Sequence, residues 1–206
     1  MNSTHIKNII FDLGGIFLNI DYSLTEKAFI ELGVTNFADF YTQHNASTLF
    51  EDLETGKITP EDFCDALRTI STIPLTNEQI YTAWNAMLLD LPTERLIWLE
   101  VIRQRYNVYL YSNTNKIHYQ AFLTIAKKVM GEKHFNDYFI KAYYSHELGL
   151  RKPYAASYTA ILHEQNLAAT ETLFIDDTIK NIEGAAEAGL QTLHLIAPQT
   201  VLDIDL

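Results

Sequence analysis

Apolar positions gather in five short runs, Asn8–Phe11, Val108–Tyr111, Ile140–Tyr144, Thr172–Ile175 and Thr192–Ile196, rich in β-branched and aromatic residues. Runs of this length between polar stretches predict buried strands. The first four hand over at their C-terminal ends to polar residues: Asp12, Ser112-Asn113, Ser145 and Asp176-Asp177. Between the runs the apolar period lengthens to that of a helix. Ala155–Gln165 places Tyr158, Ile161 and Leu162 on one face, and Asn181–Ala188 ends at Gly189, a suitable C-cap.

Strands alternating with helices predict the α/β class, a parallel sheet flanked by helices, in which ligands bind at the carboxyl ends of the strands. From about Tyr22 to Thr93 the alternation stops. That stretch reads as helix after helix, with no convincing strand, a turn at Thr55-Gly56-Lys57 and breaks at Pro74 and Pro92. Ile58-Thr59-Pro60-Glu61 starts one of these helices, with Thr59 as N-cap, Pro60 at the first helical position and Asp62 in the first turn. At 206 residues the chain has room for one buried domain plus a smaller insertion. We therefore divide it into a sheet-based core, residues 1–18 and 94–206, and a helical insertion, residues 19–93.

Composition narrows the function. Hydrophobic residues make up 48% and charged residues 20%, as in ordinary globular proteins. A formal charge of −11 without any basic block argues against a nucleic-acid partner, whose phosphates demand clustered Lys and Arg. An acidic protein that handles phosphate must instead reverse the field locally, with a cation or a few placed lysines. Cys64 is the single cysteine and can form no intramolecular disulfide; it reads as a small apolar filler. The segment Met1-Asn2-Ser3-Thr4-His5 has no basic n-region, and no apolar run approaches a membrane span, so a cytoplasmic location and no membrane partner are expected.

Four stretches carry chemistry. In Ile9-Ile10-Phe11-Asp12-Leu13-Gly14-Gly15 a buried strand delivers a carboxylate into a glycine turn whose amides could approach a ligand; alone, it reads more simply as a strand capped by an Asp turn. Leu110-Tyr111-Ser112-Asn113-Thr114-Asn115 ends a strand in small hydrogen-bonding residues at a helix start, suited to a phosphate oxygen or to N-capping by Ser112 or Asn113. Gly149-Leu150-Arg151-Lys152-Pro153 is either a solvated turn or a lysine placed to neutralise charge at a reacting centre. Leu173-Phe174-Ile175-Asp176-Asp177-Thr178, followed by Asn181 and Gly184-Ala185, sets two carboxylates side by side, which reads as oxygen coordination of a shared hard cation or as a plain Asp-Asp turn.

In the order carboxylate, hydroxyl, lysine, carboxylate pair, each at a strand end, these stretches resemble the four motifs of the haloacid dehalogenase superfamily over essentially the whole chain. The resemblance implies a Rossmann-like core with an inserted helical cap of type 1. It further implies a phosphatase in which Asp12 is the nucleophile and forms an aspartyl-phosphate, Lys152 is catalytic, and Ser112, Asn113 and Lys152 bind phosphate. Mg²⁺ would be held by Asp12, the Gly14 carbonyl oxygen and Asp177, with Asp176 as a further or water-mediated ligand. The wording His146-Glu147-Leu148-Gly149-Leu150-Arg151-Lys152-Pro153, with Asn181-Ile182-Glu183-Gly184-Ala185, is most similar to bacterial α-D-glucose-1-phosphate phosphatases. The implied partner is a small phosphorylated metabolite, with the chain a monomer or weak homodimer.

One position departs from that pattern. Most phosphatases of the superfamily carry a second Asp, an acid and base, where this chain has Gly14. General acid–base catalysis is worth roughly 10²–10⁴-fold, so its loss favours a good leaving group such as an anomeric sugar oxygen. Asp21 is the nearest other carboxylate and falls in the cap linker. The same absence keeps open a dehalogenase, which needs no acid but lacks the metal-binding pair, and a non-catalytic phosphate- and metal-binding relic. No phosphate-loop, dinucleotide or His-Glu-x-x-His motif occurs. His118 reads as a core or surface histidine within reach of the cap–core cleft, and among Tyr22, Phe29, Phe37, Phe40, Tyr41 and Phe50 one or two are expected to line the pocket.

Overall fold

A computed structural model describes residues 6–35, 37–39, 41–42 and 45–206. Five parallel strands form one sheet: β1 (Asn8–Phe11), β4 (Asn107–Ser112), β5 (Lys141–Tyr144), β6 (Thr172–Asp176) and β7 (Gln191–His194). Their order is β5-β4-β1-β6-β7, which makes β1 central. Every residue of β1 and β6 is buried, as expected of strands covered on both faces by helices. The chain leaves β1 for β4 and β5 on one side and returns to β6 and β7 on the other, so the strand order reverses at β1. Such a reversal opens a crevice at the carboxyl ends of the strands, where Asp12 emerges.

The covering helices are α5 (Thr93–Ile102), α6 (Lys116–Met130), the short α7 (Ser145–Leu148), α8 (Ala155–Glu164) and α9 (Ile179–Glu187). Tyr158, Ile161 and Leu162 of α8 are buried against Ile10, Tyr111 and Phe174 on one sheet face, as the helical period predicts. The other face packs Ile9, Phe11 and Leu110 against Leu96, Leu99 and Phe122.

Between β1 and α5 lie α1 (Tyr22–Glu31), α2 (Thr48–Glu54), α3 (Pro60–Ile70) and α4 (Asn77–Asn85). They share a second apolar cluster in which Phe29, Phe37, Phe50 and Phe63 surround the fully buried Trp84. Cys64 is packed inside this cluster as an apolar filler. Helix α3 begins at the expected cap, with Thr59 and Asp62 exchanging hydrogen bonds in a capping box. One feature differs from the all-helical expectation: β2 (Tyr41–Thr42) and β3 (Asn45–Ala46) pair antiparallel. Two residues per strand are too few to leave an alternating pattern in sequence. Phe40 lies outside the described residues.

Two connecting segments run side by side between this helical cluster and the sheet. Asn19 N–H donates to Asp90 O at 2.9 Å, Leu89 N–H to Asn19 O at 3.0 Å and Asp21 N–H to Met87 O at 3.0 Å. Backbone pairing across both connections fixes how the helices stand over the strand ends. No described helix is long and apolar enough to cross a membrane.

Candidate active site

Asp12 follows β1 directly, and its N–H still pairs with Ile175 O at 3.0 Å, so its carboxylate projects from the centre of the sheet edge. Asp176 ends the neighbouring β6, and Asp177 follows it. Among the described residues these three offer carboxylate oxygens that all lie within 4.8 Å of one another. Lys152 enters from the turn before α8 and is 1% exposed. Its Nζ lies 2.8 Å from Asp12 Oδ1 and 2.7 Å from Asp176 Oδ2, above the rings of Tyr111 and Phe174.

The lysine is held from both directions. Asn113 Nδ2 donates to Lys152 O at 2.9 Å, and Lys152 N–H donates to Asn113 Oδ1 at 2.9 Å. On the other side Gly184 lets α9 close on the turn, since a Cβ there would stand 1.8 Å from Pro153 O. The Asn113 side chain is therefore spent on positioning Lys152. Neither Asn113 nor Ser112 caps α6, as the sequence allowed; Asn115 does, accepting from Ile117 N–H and His118 N–H. Ser112 is buried and lines the crevice. Ser145, also a polar strand end, bonds Thr114 N–H and O and ties β5 to the loop after β4.

Asp176 is held by donors on both oxygens. Its Oδ1 accepts from Thr178 N–H at 2.8 Å and Asn181 Nδ2 at 3.0 Å, and its Oδ2 from Lys152 and Asn181. Asp177 is the freer partner, with Oδ1 accepting from the Thr178 hydroxyl at 3.1 Å. Gly15 has φ +70°, and a Cβ on it would meet Asp177 Oδ2 at 2.3 Å. Glycine at this position thus lets the turn after β1 and the loop after β6 touch.

Charge in the site is unbalanced. Burial pushes the Asp12 carboxyl well above the usual carboxylate range; Lys152 opposes that, while Asp176 and Asp177 add to it. Asp177 is raised for the same reasons, burial first and Asp176 next. Lys152 is buried, yet Asp12 and Asp176 hold its amine above the ordinary lysine value. Three carboxylates around one ammonium leave room for a further cation, and an all-oxygen donor set fits Mg²⁺.

Gly14 opens beside this cluster, and the space a side chain would take there is filled by Ile20, whose Cδ1 lies 2.6 Å from an ideal Cβ. Asp21 supplies no substitute: it is the N-cap of α1, accepting from Ser23 N–H and Oγ. The opposite wall comes from the helical segment. Tyr22, Tyr41 and Glu54 face Asp12, Ser112 and Lys152 across a cavity of about 290 Å³. Of the aromatic residues in this segment, Tyr22 and Tyr41 line the cavity, whereas Phe29, Phe37 and Phe50 are core. The Tyr22 hydroxyl stays protonated, its ionisation opposed by burial and by Asp177 and Asp12.

His118 also reaches the cavity wall. Its Nε2–H donates to Trp84 O at 3.0 Å, its Nδ1 accepts from Asn115 Nδ2 at 3.2 Å, and its ring stacks on Trp84 at 4.4 Å. The imidazole thus bolts α4 to α6.

Glu54, Arg151 and Ile20 were not singled out by sequence reasoning. Arg151 adjoins the catalytic-looking Lys152, which was its only signal; Glu54 and Ile20 depend on chain segments distant in sequence.

Residues 6–189 match the haloacid dehalogenase-like hydrolase family model. A D-ribitol-5-phosphate phosphatase of Bacteroides thetaiotaomicron is 32% identical over 189 residues, covering 92% of this chain and 91% of that protein. A sesquiterpene phosphatase of Aspergillus oryzae is 29% identical over 196 residues, covering 93% and 91%. Among solved structures, a haloacid dehalogenase-family enzyme of B. thetaiotaomicron, an aspartate-to-alanine variant with magnesium and inorganic phosphate, superposes with a TM-score of 0.88 at 34% identity, over 94% of this chain and 96% of that one. The strand order, the site and these matches together make the chain a member of the haloacid dehalogenase-like hydrolase family.

Proposed function

We propose that this hydrolase is a Mg²⁺-dependent phosphomonoesterase acting on a small phosphorylated sugar or sugar alcohol. The observation that carries the reading is Asp12 and Asp176 sharing the buried Lys152, with Asp177 beside them and short of positive charge. Asp12, the Gly14 carbonyl and Asp177 would hold the ion, and Asp176, whose oxygens are taken by protein donors, would act on it through water. Bound there, Mg²⁺ supplies positive charge to the phosphoryl oxygens and lets Asp12 ionise beside its neighbours.

The remaining chemistry belongs to the side chains. Asp12 attacks phosphorus in line; the new P–O bond forms as the ester P–O bond breaks, giving an aspartyl-phosphate. Lys152, the Ser112 hydroxyl and the Asn113 backbone N–H orient the phosphoryl oxygens, and Lys152 neutralises part of their charge. With glycine at position 14, the leaving oxygen takes its proton from water in the cavity. Water then attacks the aspartyl-phosphate at phosphorus, releasing phosphate and restoring Asp12. Residues 19–93 serve as the cap over a core formed by 1–18 and 94–206, and Tyr22, Tyr41 and Glu54 put cap groups on the substrate.

The D-ribitol-5-phosphate phosphatase supports a sugar-alcohol phosphate as the finer choice, and motif wording supports α-D-glucose 1-phosphate. A panel of both esters with other sugar phosphates, nucleotides and small phosphoacids, assayed with Mg²⁺ and with a chelator, separates them. Hydrolysis abolished by chelation is the expected result. Activity that survives the chelator, or release of halide from a haloacid, would contradict the reading, as would binding of phosphate and Mg²⁺ without turnover of any ester.

A further inference from the structure

The cavity wall facing the phosphate end contains an ion pair that is incompletely satisfied. Glu54, the last residue of α2, is 5% exposed and belongs to the helical segment; Arg151 belongs to the sheet-based part, next to Lys152. Arg151 Nη1 bonds Glu51 Oε1, and its Nη2 lies 3.0 Å from Glu54 Oε2. That second approach is close enough for ionic attraction but not aligned for a hydrogen bond. Glu54 Oε2 and Arg151 Nε are therefore buried without hydrogen-bond partners. Native proteins rarely leave such groups unmatched, and a pair of them in a ligand cavity points to a ligand that matches them.

The chemistry of the two orphans specifies the ligand. Oε2, ion-paired to Arg151 Nη2, can accept a better-aligned donor, and Nε–H needs an acceptor, in the same carboxylate–guanidinium contact. A hydroxyl is both, and vicinal hydroxyls supply one of each. Two carboxylates, Glu51 and Glu54, also meet one guanidinium, which disfavours a second anionic group placed against them. Tyr41, beside Glu54, adds an aromatic face and a hydroxyl that burial keeps protonated.

We propose that Glu54 and Arg151 form the specificity clamp for the substrate's leaving group, selecting a neutral, polyhydroxylated phosphate ester over one that lacks hydroxyls or carries a second acid. This assignment rests on the phosphomonoesterase reading and deepens it. The clamp spans the helical segment and the core, so hydroxyl binding also holds the two together while Asp12 works.

The test compares the wild type with Glu54→Gln, which keeps the shape and removes the charge. The readout is the ratio of kcat/KM for D-ribitol 5-phosphate to that for phenyl phosphate, which has no hydroxyl. Breaking a hydrogen bond to a substrate hydroxyl should lower that ratio about tenfold or more, chiefly through KM, and should improve relative turnover of a phosphorylated sugar acid. A ratio within about twofold of wild type, even if both rates fall together, would overturn the clamp, since a merely structural latch affects both esters equally. A second arm measures binding of D-ribitol 5-phosphate and of inorganic phosphate to Asp12→Asn with Mg²⁺, with and without Glu54→Gln. Selective weakening of the ester supports the clamp, and equal weakening or none overturns it. Should the wild type hydrolyse no ester, the activity reading falls while this binding arm still decides the role of Glu54.

Discussion

Ile20 stands where a side chain on residue 14 would go, with its Cδ1 2.6 Å from the ideal Cβ position of Gly14. The obstructing atom is the end of a flexible side chain, and Gly14 is not in the left-handed region, so an aspartate can enter if Ile20 rotates away. Gly14→Asp should raise kcat on an alkyl phosphate, and Gly14→Asp with Ile20→Ala should raise it further, by about tenfold or more, given the usual worth of general acid–base catalysis. The gain should be smaller on phenyl phosphate, whose leaving group needs less protonation. Steady-state kinetics on the two esters check this; equal rates in wild type and double variant would show that proton transfer is already supplied.

Lys152 holds two buried carboxylates at hydrogen-bond distance, which gives it a structural part beside the chemical one proposed for it. Lys152→Met keeps the length and removes the charge, leaving Asp12 and Asp176 facing each other unpaired. Breaking a buried pair in this way costs roughly 3–5 kcal/mol. Urea unfolding without Mg²⁺ should show a loss of that size together with loss of activity. A loss under about 1 kcal/mol would mean that the carboxylates are neutral or solvated in the resting protein.

Gly15 permits the contact between the turn after β1 and Asp177. Gly15→Ala puts a methyl 2.3 Å from Asp177 Oδ2 on a backbone with φ +70°, so Asp177 must move. Weakened Mg²⁺ binding, by about 10–100-fold, is expected from displacing a group that sets ligand geometry. Titration calorimetry with Mg²⁺ measures it directly, and unchanged affinity would remove Asp177 from the ion site.

His118 predicts how stability depends on pH. Burial lowers its pKa from 6.5 to about 4, partly offset by its bond to Trp84 O. Between those values the unfolded chain binds the proton and the folded chain does not, so stability falls as pH drops from 6.5 towards 4. The full effect is about 3 kcal/mol at roughly 1.4 kcal/mol per pKa unit. In His118→Gln that acid-sensitive contribution disappears. The gap in urea midpoint between wild type and variant should narrow on going from pH 7 to pH 4.5; a constant gap would mean that His118 is already charged at neutral pH or is hydrated.

The sheet was legible in the chain because its strands are buried on both faces and leave uninterrupted apolar runs. β1 falls on the predicted residues, Asn8–Phe11, and the other strands are displaced by one or two residues at their ends. Asp12, Asp176 and Asp177 were legible as strand-end residues and Lys152 as a cation of the Gly149–Pro153 turn, which the structure sets between α7 and α8 rather than at a strand end, and the fold brings all four into contact. Ser145 shows the limit of that rule, since it shares the same strand-end position yet bonds only the Thr114 backbone. Asn113 was read as offering its backbone amide to phosphate or its side chain to the helix start, and only the fold shows that the side chain grips the Lys152 backbone 39 residues away. Glu54 and Ile20 left no signal because their meaning arises from the second segment packed over the strand ends. A position relative to a distant partner is not encoded in local spacing.

Covalent catalysis by Asp12 is the core of the account. The most direct measurement is rapid acid quenching of enzyme mixed with Mg²⁺ and excess D-ribitol 5-phosphate, followed by peptide mass spectrometry. One phosphoryl group on the peptide carrying Asp12 is predicted, absent when a chelator is present and absent in Asp12→Asn. Continued turnover by Asp12→Asn, or a phosphoryl group found on another residue of the wild type, would contradict it.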